Sequence, residues 1–138
     1  MTEFDPTLTD RFERFEIVPT EFWHLDHVQV AFEMFERYDF IEACSRYAST
    51  IRKMATDSGA PAKYNATITI AFMSLVAERK ACSPDGDLTA FFKDNPDMLD
   101  KKVLCTWYSP KRMTSSIARQ QFLMPDKING VAYEQATA

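Results

Sequence analysis

The sequence predicts an all-α single domain, with three long helices in an up-down-up bundle and short C-terminal helices packed on it. Three observations favour this class. Only three Gly occur among 138 residues, too few for a fold with many tight turns. Apolar residues recur at steps of three and four over three long stretches, which is the periodicity of amphipathic helices. A chain of this length also buries enough apolar surface to form its own core.

The three long helices are predicted at 20–38, 39–58 and 63–82 from their periodicity and their flanking residues. Asp39 is a favourable N-cap for the second helix, and Gly59 before Ala-Pro ends it. The third helix is predicted to turn one apolar stripe inward, made of Ile68, Ala71, Phe72, Leu75 and Val76.

The rest of the chain divides into an arm, short helices and a tail. Residues 1–18 are predicted to form an N-terminal arm over the body, 19–124 the helical domain, and 125–138 a loose polar tail. Within the domain, the Asn95-Pro96 and Ser109-Pro110 pairs each predict the start of a short helical segment, the first of which reaches about residue 107.

Charge, cysteine count and motifs exclude several functions. The net charge of −4 disfavours nucleic acid and anionic membranes as partners. Three widely spaced Cys exclude a complete disulfide framework and a CxxC zinc or redox module. The acidic start lacks the layout of a signal peptide, and no apolar stretch is long enough to span a bilayer. We therefore expect a cytoplasmic protein. Without a phosphate loop, nucleophile elbow or dinucleotide fingerprint, we expect no cofactor.

The charge is unevenly distributed along the chain. Residues 1–50 carry four positive and eleven negative side chains, whereas residues 101–138 carry six positive and two negative. The two regions are predicted to pair within the fold. A competing interpretation gives Arg112, beside Tyr108, a different role: its guanidinium would clamp an anionic ligand.

The only two histidines, His24 and His27, lie on one face of the first long helix. In an up-down-up bundle the first and third helices run parallel, which places Tyr64, Asn65 and Thr67 at the same end of the core. Two helix N-termini there lower the pKa of nearby imidazoles and favour an anionic ligand. The sequence therefore predicts a small-molecule site, and the competing interpretation is a pair of buried, hydrogen-bonded histidines.

The predicted site has assigned roles. A histidine acts as general acid or base and Tyr64 as a proton donor, so His24, His27 and Tyr64 are the candidate catalytic residues. The candidate substrate-binding residues are Asn65, Thr67, Tyr108 and Arg112. No metal is assigned, although two His at i and i+3 leave a metal-dependent enzyme as an alternative.

Four segments resemble the motifs of a family of small, helical, largely uncharacterised bacterial proteins. The resemblance rests on Phe22 to Val28, an aromatic-x-His-x-x-His-Val pattern, on Lys63 to Thr69, on Asn95 to Asp100 and on Tyr108 to Arg112. It spans roughly residues 20–125 in the same order. The family motif reads Lys-Tyr-His-x-Thr and ends on Tyr-Ser-Pro-Glu-Arg. It implies His24, His27 and Tyr64 as site positions. This chain has Asn65 in place of a third His, which favours hydrogen bonding over a three-His metal site.

These observations predict a small-molecule enzyme or binding protein with non-redox acid–base chemistry, namely isomerisation, cyclisation or elimination. The predicted partner is a small-molecule ligand, anionic in the preferred version. One alternative is a helical interaction or dimerisation module without catalysis, since eleven Phe, seven Met and two Trp are many for this length. A homodimer is the partner in that case. The other alternative is the metal-dependent enzyme using His24 and His27.

Overall fold

The computed structural model describes residues 3–128 and 131–132, and it confirms the all-α class. The described residues contain seven α-helices, four short 3₁₀ turns and one small antiparallel pair of strands. The α-helices are α1 Leu8–Glu13, α2 His24–Arg37, α3 Phe40–Asp57, α4 Ala66–Ala81, α5 Leu88–Asp94, α6 Pro110–Met113 and α7 Ser116–Gln120. The strands are β1 Lys127–Ile128 and β2 Val131–Ala132, and the 3₁₀ turns are Pro19–Glu21, Pro61–Lys63, Pro96–Leu99 and Val103–Thr106.

The first long helix, α2, begins later than the sequence predicts. Pro19–Glu21 form a separate 3₁₀ turn, and the extended backbone at Trp23 (φ −92°, ψ 171°) divides this turn from the helix. The carboxylate of Asp26 accepts a hydrogen bond from the Trp23 backbone N–H at 2.9 Å and so fixes the start. As a result His24 is the first residue of α2, and His27 lies in its first turn.

The two following long helices have side-chain caps. The Asp39 carboxylate accepts a hydrogen bond from the backbone N–H of Glu42 at 2.9 Å, as the sequence predicts for the start of α3. Gly59 follows that helix with φ 78°, a conformation that favours glycine. At α4 the side-chain oxygen of Asn65 accepts from the Ile68 N–H at 2.9 Å, so this helix begins three residues after the predicted start.

The core lies where α2, α3 and α4 pack against one another in pairs. Fully buried side chains from these helices include Val28, Met34, Ala43, Met73 and Val76. The predicted arm does pack on this body: α1 contacts α2 and α3, and its Leu8 and Phe12 belong to the core cluster. The alternation of helix direction stays a prediction.

Helix α4 is covered on more than one side. It contacts α2 and α3 on one side, and α7 also packs on it. The predicted inward stripe is therefore wrong at Ile68, which is 39% exposed, whereas Thr67 beside it is fully buried. The Thr67 hydroxyl donates to the Gln121 carbonyl at 2.7 Å and accepts from the Leu123 N–H at 3.0 Å, so it ties the C-terminal segment to the bundle.

We expect Thr67→Val to lower the free energy of unfolding by about 2 kcal/mol, because it leaves two backbone groups of the C-terminal segment without their partner. Urea unfolding measures the loss. The matched control is Thr69→Val, since the Thr69 hydroxyl binds the Asn65 carbonyl, which the Thr69 backbone N–H already binds, and so leaves no backbone group without a partner when it is removed. Equal losses for the two variants would contradict the tying role of Thr67.

The C-terminal third differs from its prediction in two respects. The segment expected to run as one piece from Asn95 to about 107 is two 3₁₀ turns, divided at Asp100, whose carboxylate accepts from the Lys102 N–H. The segment expected to be a loose tail begins with bound residues. Asp126 accepts two hydrogen bonds from Ser109, and Lys127 donates to the Cys105 carbonyl. Residues 129, 130 and 133–138 of that tail lie outside the described residues.

The predicted pairing of the acidic first third with the basic last third is wrong for the described residues. The acidic side chains of α1 pair with nearby arginines instead. Arg37 binds Asp10 and Glu13 at 2.8 Å, and Glu13 also accepts from the Tyr38 hydroxyl. These contacts link α1 to the C-terminal end of α2. No described helix has the length and apolar character needed to cross a membrane.

Candidate functional site

A cavity of about 340 Å³, here called the main cleft, opens at the first turns of α2 and α4. Its walls come from α2, α3, α4 and the C-terminal 3₁₀ region. They consist of His24, His27, Tyr47, Ile51, Lys63, Tyr64, Asn65, Ile68, Thr69, Phe72, Lys101, Val103 and Leu104. The volume lies at the lower end of the range typical of small-molecule sites, about 300–1,000 Å³. Both histidines and Tyr64 therefore line one cavity.

His27 is held by a hydrogen bond to a buried tyrosine. Its Nδ1 lies 2.8 Å from the hydroxyl oxygen of Tyr47, and Tyr47 is 2% exposed. We assign the hydroxyl as donor, because this is the only hydrogen bond of that hydroxyl among the described residues. The opposite assignment would leave the Tyr47 hydrogen without an acceptor in the core. The neutral His27 ring therefore carries its hydrogen on Nε2.

The free side of His27 faces accessible space. No buried side-chain nitrogen or oxygen of the described residues lacks a hydrogen-bond partner, and Nε2 has no partner, so it is not fully enclosed. Burial, with the charge of His24 as a second cause, lowers the pKa of His27 to about 4. At neutral pH the ring is uncharged, and it offers an N–H donor to the cleft. The sequence analysis predicts a lowered histidine pKa from the two helix N-termini, whereas burial is the main cause of the lowered pKa of His27.

In His24 the other ring nitrogen, Nε2, forms the structural hydrogen bond. Its Nε2 donates to the backbone carbonyl of Met98 at 2.8 Å, and a carbonyl can only accept. In the neutral ring Nδ1 is therefore the nitrogen with the lone pair. Met98 is fully buried in the 3₁₀ turn Pro96–Leu99, so the C-terminal third fixes the orientation of this ring. Both neutral rings thus carry their hydrogen on Nε2, and they differ in which nitrogen is left without a partner: His24 keeps a basic Nδ1 free, and His27 a donating Nε2.

Cations line the main cleft, and none of its lining residues that the structure describes is a carboxylate. Lys63 and Lys101 line the cleft, and neither forms an ion pair within the part of the chain that the structure describes. The guanidinium of Arg52 lies 5.8 Å from the centre of the Tyr64 ring. Burial raises the pKa of Tyr64, so its hydroxyl is protonated at neutral pH. The cleft therefore favours a ligand with negative charge.

The other predicted binding residues have structural hydrogen bonds. Asn65 lines the cleft, but its amide caps α4 and donates to the Met113 carbonyl at 2.7 Å. Thr67 is buried against the C-terminal segment and does not line the cleft. Both side chains thus join the start of α4 to the C-terminal part of the chain, Asn65 at Met113 and Thr67 at Gln121 and Leu123.

Tyr108 and Arg112 lie elsewhere. The Tyr108 hydroxyl donates to the Leu123 carbonyl at 2.8 Å, and the Tyr108 ring lines a separate cavity of about 210 Å³ beside α4. Arg112 donates through Nε to the Met124 carbonyl at 2.6 Å and does not line the main cleft. The cations that do line it are Lys63 and Lys101, neither of which the sequence analysis selected. Both lysines lie in short segments between the helices, where no helical periodicity indicates which way a side chain points. The sequence therefore does not predict that their charges lie at the cleft.

The ligand set for a metal is absent among the described residues. No three His, Cys, Asp or Glu side chains there lie close enough together to hold one ion. Glu33, which lies on α2 with the histidines, accepts instead from the Thr9 hydroxyl at 2.6 Å. A zinc site needs at least one more protein ligand beside His24 and His27, and the described residues supply none there.

Comparisons with known proteins give no relatives for this chain: no family model, no curated protein and no solved structure matches it. The family resemblance of the four motifs therefore stays a prediction. Any functional conclusion depends on the geometry of the cleft.

Proposed function

We propose that the chain binds a small organic anion in the main cleft and transfers a proton on it. One observation carries the proposal: two histidines, one with a free basic nitrogen and one with a free N–H, line a cleft to which the described residues contribute lysines and no carboxylate. Lys63 and Lys101 attract the anionic group. His27 donates its Nε2–H to a carbonyl oxygen of the ligand, and the Nδ1 of His24 removes a proton from the neighbouring carbon.

This chemistry corresponds to isomerisation or elimination. Proton removal next to a carbonyl creates a negative charge on the oxygen, and a neutral N–H donor stabilises that charge as it forms. Tyr64 lines the same cleft and can return a proton to the product. The proposal takes α2 and α4 as parallel members of an up-down-up bundle, so that the positive ends of both helices act on the same anion.

The test uses substitutions that retain the structural hydrogen bond of each ring. His24→Gln keeps a donor for the Met98 carbonyl and removes the basic Nδ1, whereas His27→Asn keeps an acceptor for Tyr47 and removes the Nε2–H. Small carboxylates and 2-oxo acids serve as probes. Binding is measured by ligand-observed NMR, and proton transfer by the exchange of carbon-bound hydrogen for deuterium in heavy water.

We expect His24→Gln to bind like the wild type and to lose exchange by about 10²-fold or more, the usual effect of removing a general base. We expect His27→Asn to bind about tenfold more weakly, since it loses a hydrogen bond to a charged or polarised oxygen. Tyr38→Phe is the control, because the Tyr38 hydroxyl binds Glu13 away from the cleft. Loss of binding only in proportion to loss of stability would favour the pair of structural histidines.

The interaction module predicted as an alternative has its own experiment. Several large apolar side chains are exposed, among them Trp23 at 70% and Ile41 at 73%. Sedimentation distinguishes the cases, because a dimer that buries these side chains would support the interaction module, whereas a monomer that binds carboxylates would support the proposed function. The homodimer and the cytoplasmic location stay predictions.

A further inference from the structure

A second cavity adjoins the main cleft. It measures about 480 Å³ and is here called the side cavity. Its walls come from the 3₁₀ turn before α2, the last turns of α3 and the connection to α4. They consist of Pro19, Thr20, Phe22, His27, Ile51, Met54, Ala55, Ser58, Ala60, Lys63 and Tyr64. Four of these, namely His27, Ile51, Lys63 and Tyr64, also line the main cleft. These four residues therefore form the boundary that the two cavities share.

Both cavities have mostly apolar walls, and they differ in where their ionisable side chains lie. The main cleft contains His24 and Lys101, the groups that suit an anionic head. Apart from the four shared residues, the side cavity is lined mainly by apolar groups, including Phe22, Met54 and Ala55, with Thr20 and Ser58 as its polar members. Within residues 3–128 and 131–132, no carboxylate lines either cavity. By contrast, the separate cavity beside α4 is lined by both Glu78 and Arg79.

We infer that the ligand of the proposed site is an amphipathic carboxylate, with its head in the main cleft and an extended apolar body that passes His27 into the side cavity. This inference rests on the proposed function and adds the class of substrate to it. A compact polar acid would occupy only the main cleft and leave the apolar walls in contact with water. An acid with an alkyl or aryl body removes those walls from water and so binds more tightly.

A chain-length series tests the inference. The probes are acetate, butanoate, hexanoate and octanoate, and their dissociation constants are measured by calorimetry with the wild-type protein at neutral pH. Once the body reaches the side cavity, we expect affinity to rise by about fourfold for each added methylene, the usual gain on burying one such group.

Two variants reduce the volume of the side cavity. Ala55→Leu fills it from α3, and Ser58→Phe fills it from an exposed position where a larger side chain is tolerated in the fold. We expect both to weaken octanoate binding to about the level of butanoate and to leave acetate and butanoate unchanged. Ala81→Phe, at an exposed position that lines neither cavity, is the matched control and should retain the wild-type series.

The outcomes separate this inference from the proposed function. An affinity that does not change with chain length, in a protein whose short-acid binding still depends on His27, would overturn the inference and leave the proposed function standing. Equal weakening of every acid by the two filling variants would also overturn it. Absence of binding at every chain length would overturn both.

Discussion

Replacing Phe12 by alanine is expected to lower the free energy of unfolding by about 3–5 kcal/mol, the usual cost of removing a phenyl ring from a closed core. Phe12 is fully buried, and its ring stacks on Phe22 at 5.6 Å and on Tyr47 at 5.5 Å between centres. A helix as short as α1, with six residues, is not stable alone, so it depends on its contacts with the body, and Phe12 is its largest buried side chain. Urea unfolding followed by circular dichroism measures the loss.

The control is Phe15→Ala in the same arm. Phe15 is 57% exposed, and its contact with the Lys53 ammonium, 5.6 Å from the ring centre, lies at the surface. We expect this variant to lose less than about 1 kcal/mol. Similar losses for the two variants would show that the arm is held by something other than Phe12.

The Phe12 substitution also has a functional consequence. Its ring supports Tyr47, which fixes the tautomer of His27, and Phe22, which lines the side cavity. The arm that the sequence predicts over the body thus supports the candidate site from behind. Carboxylate binding by the Phe12→Ala protein should weaken even at low temperature, where the protein remains folded.

The helix caps show which features the sequence predicts well. At α3, α6 and α7 the side chains of Asp39, Ser109 and Ser115 each accept from a backbone N–H three residues later, as their residue types predict. Such bonds involve only neighbours in the chain. The predicted start of α2 is wrong because the carboxylate of Asp26 accepts from the Trp23 backbone N–H, which starts the helix at His24.

The candidate site shows where the sequence information ends. The histidines and Tyr64 line one cleft because they occupy the starts of two helices that pack together. The sequence analysis does not select Tyr47, since its contact with His27 depends on the rotation of α3 relative to α2. The sequence analysis predicts Asn65 as a ligand contact, and the structure shows it as the N-cap of α4. Asn is common in both roles, so the residue type alone does not separate them.

The apolar stripe predicted for α4 is wrong at Ile68 for a different reason. An inward stripe can be read when one face of a helix is buried, but α4 packs against the bundle and also against α7. Thr67 then lies inside and Ile68 outside, the reverse of their hydropathy. The backbone groups of Gln121 and Leu123 require a hydroxyl at that place, and they lie more than fifty residues further along the chain.

Acid is expected to destabilise the wild-type protein through His27 by about 3 kcal/mol more than the His27→Asn protein, between pH 6.5 and pH 4. The folded protein keeps His27 neutral because burial lowers its pKa to about 4, whereas the unfolded chain binds a proton near the usual 6.5. Between these values the unfolded state holds more protons, so stability falls as the pH falls. The measurement is urea unfolding of both proteins at several pH values in this window.

The comparison with His27→Asn isolates this contribution, because the variant keeps an acceptor for the Tyr47 hydroxyl and lacks the titrating ring. Carboxylates such as Asp97, whose pKa Arg79 holds below its ordinary value, titrate at lower pH and do so in both proteins. Parallel stability curves would contradict the buried neutral His27 and, with it, the Nε2–H donor. If the curves diverge as expected, the neutral His27 ring with its Nε2–H persists at pH values where most carboxylic acids are ionised. The protein can then bind the anion without any change in the protonation state of His27.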